Sequence, residues 1–215
     1  MKAAIPDYMD YQSKIAVIIL AAGASTRMGK PKQLLPLRGR SLFRNAVEAA
    51  LGSVCRPVVV VIGPHADILR HEVADLTVSV TENREWKSGM SSSLRTGLRT
   101  LSATNEDLDG TIIMLCDQPY VSSEVINSLV DARRMTGKNI VASAYGEAKG
   151  VPAFFSRQLF GEIASLVGEG GAKQLIADHP DHVAAVFFAQ GIVDVDTPQD
   201  YELLLAQDAL PKRSD

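Results

Sequence analysis

A short, unbroken run of β-branched and aliphatic residues at 15–20 has the pattern of a strand buried on both faces. Similar short runs recur at 57–62, 77–81, 111–116, 140–144 and 183–188, and each reads as a strand. Between them lie longer stretches, over 41–51, 65–73, 91–101 and 122–135, whose apolar residues recur three and four apart and so predict helices. Strand and helix alternate. That order predicts an α/β fold of three layers, Rossmann-like, with a mainly parallel sheet and its ligand beyond the carboxyl ends of the strands. The second half is less regular: Val151, Pro152, Ala153, Phe154 and Phe155 read as one antiparallel strand whose proline suits a sheet edge or a strand start. Helices are expected over 157–167 and 171–177. Thr197 as N-cap and Pro198 in the first turn open a last helix to about Ala206. The chain divides into a loose leader (1–14), a single domain (15–206) and a polar tail (207–215).

Composition narrows the classes. With 215 residues, 46% hydrophobic and 22% charged, the chain can bury one full-sized core, which excludes disorder, collagen and coiled coil. Lys and Arg number 22 against 25 Asp and Glu, so no basic field exists to hold a polyanion and no nucleic-acid partner is expected. The longest apolar stretch, 15–22, is too short to span a bilayer, and the first residues lack a signal-peptide pattern. Cys55 and Cys116 have no CxxC partner or nearby histidine pair, which removes a disulfide framework and a zinc cluster and fits a cytoplasmic protein.

The chemistry concentrates after the first strand, in Leu20-Ala-Ala-Gly-Ala-Ser-Thr-Arg-Met-Gly-Lys-Pro-Lys-Gln-Leu-Leu35. Five residues separate Gly23 from Gly29, and Lys30-Pro31 follows, so this is not a P-loop; the GxGxxG dinucleotide fingerprint is absent too. A hydride-transfer enzyme loses support. Small residues let backbone amides approach a phosphate, and Arg27, Lys30 and Lys32 supply cations. Pro31 stops a regular helix, so Lys32 is expected on a bent, extended segment facing the same pocket. A flexible loop with solvated cations is the plain alternative. Asp117, at the mouth of a buried strand, is placed to hold a hard cation, or else to cap a turn. Asp194 and Asp196 lie two apart on an extended segment and face one side. Ser91, Ser92 and Ser93 open a helix whose amides can receive a phosphate, although serines are also ordinary caps.

Residues 20–29, with Lys32 and Leu34-Leu35-Pro36, resemble the signature of the MobA-like nucleotidylyltransferases, and most resemble the molybdenum cofactor cytidylyltransferases within that group. Asn83 to Leu98, Leu115-Cys-Asp-Gln-Pro119, Gly150-Val-Pro152 and Asp194-Val-Asp-Thr-Pro198 match in the same order, covering nearly everything after residue 14. The resemblance implies transfer of CMP from CTP to the phosphate of molybdenum cofactor (molybdopterin), with Mg2+ and release of pyrophosphate. It makes Arg27, Lys32 and Asp117 catalytic, and Leu20, Ala22, Gly23 and Ser93 nucleotide contacts. Magnesium falls to Asp117 and Asp196, with Asp194 second, and the acceptor to Asn83 and Trp86. A client molybdoenzyme is implied as a partner. Ala22 stands where guanylyltransferases usually carry glycine, which points to CTP, while Cys116 and Glu169 depart from the family's usual glycine and aspartate. A GTP-using guanylyltransferase, another small-molecule phosphate nucleotidylyltransferase, and a non-catalytic accessory protein for a molybdoenzyme of the xanthine dehydrogenase type stay open.

Overall fold

A computed structural model describes residues 14–104 and 107–209. Strand β1 (Ile15–Ala21) is buried along its whole length, as its unbroken apolar run requires. After it come a short hairpin of β2 (Pro36–Leu37) and β3 (Arg40–Ser41), helix α1 (Leu42–Gly52), β4 (Val58–Ile62), α2 (Ala66–Glu72) and β5 (Ser79–Glu82). Then follow α3 (Met90–Thr104), β6 (Gly110–Leu115), α4 (Ser123–Thr136), β7 (Ile140–Tyr145), β8 (Ala148–Ser156), α5 (Phe160–Ser165), α6 (Gly171–Asp178), β9 (Val183–Phe187) and α7 (Pro198–Asp208). The main sheet runs β5-β4-β1-β6-β8-β7-β9, and β8 alone is antiparallel to its neighbours.

Alternation along β1 sorts the core into two layers. Ile15, Val17 and Ile19 pack with Phe43 and Val47 of α1 and Ile126 and Leu129 of α4. Ala16, Ile18 and Leu20 pack with Leu94 and Leu98 of α3, Ile163 of α5 and Leu175 of α6 on the other face. Helix α3 comes close because Gly97 has no side chain: a Cβ there would stand 2.7 Å from Ile18 Cγ2 and 3.0 Å from Val61 Cγ2. A third, smaller cluster of Met28, Leu35, Leu37, Leu42, Val195 and Leu204 fastens the hairpin and α7 to the loop that follows β1.

Three expectations need correction. The proline-bearing strand is not at an edge, since β8 lies between β6 and β7. Pro152 fits there because the β7 register jumps from Ala142↔Ala153 to Ser143↔Gly150, and the β6 pairing stops at Ile113↔Ala153, so no ladder bond calls on its missing N–H. Its carbonyl accepts from Ser143 Oγ at 2.7 Å. The helix expected over 157–167 is a 3-10 turn, Arg157–Leu159, followed by the shorter α5. The last helix runs past Ala206 to Asp208, taking in the start of the expected tail. Residues 1–13 of the leader and 210–215 of the tail lie outside the described residues. No helix among the described residues is long and apolar enough to cross a membrane.

Candidate active site

From β1 the chain moves to β4 and β5 on one side and returns to β6 on the other, so the connections part at the carboxyl ends of β1 and β6. A cavity of about 640 Å³ opens at that point. The loop after β1 makes one wall, bringing Leu20, Ala22, Gly23, Arg27 and Lys32 to it. Ser25 takes a left-handed backbone, φ 54°, and Gly29 another, φ 71°. Such a turn favours glycine, and Ser25 is held in it by local bonds: its carbonyl accepts from Met28 N at 3.0 Å and its Oγ from Lys32 N at 3.1 Å. Pro31 precedes a 3-10 turn over Lys32–Leu34, so Lys32 starts a tight turn and does not ride an extended segment.

Lys32 Nζ donates to Asp117 Oδ2 at 2.5 Å and to Asp196 Oδ1 at 2.6 Å. Burial draws its pKa down, but the Asp117 charge and the hydrogen bonds to both carboxylates outweigh it and hold the ammonium above its ordinary value. Asp117 lies just beyond β6, with Cys116 between them, because the strand ends at Leu115 rather than 116. Its Oδ1 is buried and meets no partner among the described residues. Asp196 is pushed up by burial yet lies below the usual carboxylate range, because Lys32 and Arg27 both bind its charged form. Arg27 Nη2 reaches Asp196 Oδ2 at 2.8 Å from an exposed position. Asp194 lines the same cavity, and burial followed by the Asp117 charge lifts its carboxyl to about 6. Val195, between the two aspartates, turns into the third cluster, and its N–H donates to the Asp117 carbonyl at 3.0 Å. A capping box at the start of α7, Thr197 with Asp200, adds a bond from Asp196 N to Asp200 Oδ2 at 3.1 Å.

Ser93 and Trp86 reach the cavity from α3 and from the turn before it, and Glu169 lines it close to Gly89, just before α3. Asn83 does not line it. Its amide is buried and donates to Ser92 Oγ at 2.8 Å and Ser93 Oγ at 2.9 Å, while its Oδ1 accepts from Glu85 N. Lys30 lies outside the cavity, 5.9 Å from the centre of the Tyr201 ring. Cys116 is buried, and its thiol is pushed up to about 12 by burial and then by Asp117. Two residues went unnoticed in the sequence. Gln33, 1% exposed, donates through Nε2 to the carbonyls of Ala21 at 3.1 Å and Gly23 at 2.7 Å, and its Oε1 accepts from Ser25 Oγ. Gln118, also buried, donates to the carbonyls of Val151 and Gly191 and ties β8 to the segment carrying Asp194. The only signal for either was its place beside a charged residue in a segment of the resemblance, Gln33 after Lys32 and Gln118 after Asp117.

Residues 17–183 match the MobA-like NTP transferase domain. The chain belongs to this family. A MobA-like NTP transferase is a nucleotidyltransferase, and the mixed sheet with helices on both faces is the fold of its solved neighbours. The purine catabolism protein PucB of Bacillus subtilis (strain 168) is 29% identical over 197 residues, which cover 87% of this chain and 94% of that one. The nicotine blue oxidoreductase of Paenarthrobacter nicotinovorans is 33% identical over 172 residues, 76% of this chain and 81% of its own. The crystal structure of Rv0371c from Mycobacterium tuberculosis H37Rv in complex with manganese superposes with a TM-score of 0.72 at 30% identity, covering 90% of this chain and 98% of that one.

Proposed function

We propose that this MobA-like transferase moves CMP from CTP to the terminal phosphate of molybdenum cofactor, releases pyrophosphate and uses magnesium. The observation that carries this reading is the Lys32 ammonium, bonded to both Asp117 and Asp196 in a cavity beyond the ends of β1 and β6. A phosphate monoester is ionised near neutral pH, so its oxygen attacks the α-phosphorus without a general base. The new P–O bond forms, the bond to the α–β bridging oxygen breaks, and pyrophosphate leaves with that electron pair. Positioning and charge neutralisation then do the catalysis. Lys32 meets the charge growing on the α-phosphate, and Arg27 steadies the β and γ phosphates. Ala22, Gly23, Leu20 and Ser93 line the nucleotide's side of the cavity. Trp86 takes the acceptor's, with Asn83 aligning the serines of α3.

The donor set fits a hard divalent cation: Asp117 offers a buried, unpartnered oxygen, and Asp196 a second carboxylate. Asp117 and Asp196 would hold magnesium, with Asp194 beside them, and the manganese bound by the M. tuberculosis relative supports a divalent ion. Bound there, the ion neutralises phosphate charge. The relative named for purine catabolism supports a client of the xanthine dehydrogenase type, and two free, buried cysteines suit the cytoplasm. A hydride-transfer reading, which the name of the P. nicotinovorans relative would favour, lacks a GxGxxG after β1.

The test offers CTP, GTP, ATP and UTP with magnesium and molybdenum cofactor and measures pyrophosphate. CTP should be preferred. Ala22 lines the cavity, so Ala22→Gly, which removes a methyl there, should raise GTP use by an amount worth about 1 to 3 kcal/mol. Preferred GTP turnover by the unaltered chain overturns the base assignment. Turnover with another phosphorylated small molecule alone replaces the acceptor, and no pyrophosphate with any nucleotide favours the accessory role.

A further inference from the structure

In the loop after β1 the backbone N–H groups from residue 22 to residue 27 meet no acceptor among the described residues, while the carbonyls of Ala21, Gly23 and Ser25 are taken. The loop faces the cavity. The last carbonyl of β1, that of Ala21, and the Gly23 carbonyl of the loop are both taken by the single amide nitrogen of Gln33. The same amide accepts from Ser25 Oγ, and Ser25 Oγ accepts from the backbone N–H of Lys32. One buried neutral side chain thus links the end of β1, the left-handed Ser25 turn and the start of the Lys32 turn. Unpaired N–H groups attract an anion, whereas the negative ends of carbonyls oppose one.

We propose that Gln33 is the positioning residue that makes this loop an anion receptor, neutralising the Ala21 and Gly23 carbonyls and fixing the loop so that its free amides receive the triphosphate. The proposal rests on the nucleotidyl-transfer reading and adds a residue to it. Only an amide fits the post: it supplies two N–H donors and one acceptor without charge. A carboxylate there has no donor and faces two carbonyls, and a leucine has neither donor nor acceptor. Gln33 touches no reacting atom, so its loss should weaken binding of the triphosphate and spare the chemical step.

Inorganic tripolyphosphate and CTP are titrated with magnesium into the wild type, Gln33→Leu and Gln33→Glu, and turnover is measured at saturating CTP. Both variants should bind the two probes about tenfold more weakly or worse, with saturated turnover within about threefold of wild type. The Gln33→Glu deficit, taken as a ratio to wild type, should shrink from about pH 8 to about pH 5, because the protonated acid regains one donor. If Gln33→Leu does not fold, Ser25→Ala, which removes the link from Gln33 to Lys32, should show about a threefold loss. Equal affinity in wild type and variants, turnover lost at unchanged affinity, or a deficit indifferent to pH overturns the role of Gln33 while leaving the transferase reading in place. Failure of the wild type to bind tripolyphosphate or any nucleoside triphosphate overturns both.

Discussion

The central lysine sits in a cage of opposite charge. An ammonium with 13% of its side chain exposed is stable between Asp117 and Asp196 only because both carboxylates bind its charged form, and that arrangement keeps it protonated, as the proposed role on a phosphate requires. Lys32→Ala should therefore lower kcat by about two orders of magnitude or more, with little change in triphosphate KM, as steady-state kinetics would read. Unchanged kcat with a raised KM would assign the lysine to binding alone. Asp117→Asn keeps the shape but removes the charge a hard cation needs, so magnesium titration should show loss of metal-dependent turnover in a folded protein. Wild-type magnesium affinity and rate in that variant would remove Asp117 from the metal site. The charged members of this group were legible in the sequence because Arg, Lys and Asp declare their chemistry by type and by their place after a strand. Gln33 was not, since a neutral amide means nothing until the carbonyls it meets are known. Asn83 was legible as a notable residue, yet its duty toward Ser92 and Ser93 depends on a turn no pattern specified.

Each buried strand and each crossover helix follows from apolar runs and three-four spacing, which is why the placement of β1, β4, β6 and β7 was readable to within a residue or two. Less could be read where tertiary context overrides local preference. Pro152 argued for an edge, but the register break in β7 and the bond from Ser143 let it sit inside the sheet. The β2–β3 hairpin escaped notice because its turn is Arg38-Gly39, with φ of 55° and 79°, where arginine replaces the asparagine or aspartate that usually marks such a turn. The contact between α3 and the sheet offers a direct test. Gly97→Ala places a methyl 2.7 Å from Ile18 Cγ2, between two packed layers, and should cost about 1 to 3 kcal/mol in denaturant unfolding. Stability equal to wild type would mean that α3 can shift outward freely.

Over the whole molecule, the two aspartate-bearing segments, the glycine loop and the α3 serines are brought together from distant parts of the chain by the order of the sheet. The fold class was legible from alternation alone, while the neighbours of each strand were not, because pairing is decided by crossovers that leave no local mark. Strand β1 meets β4 through Val17↔Val58, but its other side waits for β6, and Ile19 pairs with Met114 only 95 residues later. During synthesis at about 5 to 20 residues per second, that side of a wholly apolar strand stays open for about 5 to 20 s after β1 has emerged. An open apolar edge is a template for other chains. A chain arrested after residue 104, with β1, β4 and β5 made and β6 missing, should sediment with aggregates, whereas one carried through residue 209 should stay in the supernatant. The strand that anchors the glycine loop in the finished protein is thus, on the ribosome, the segment most in need of a chaperone.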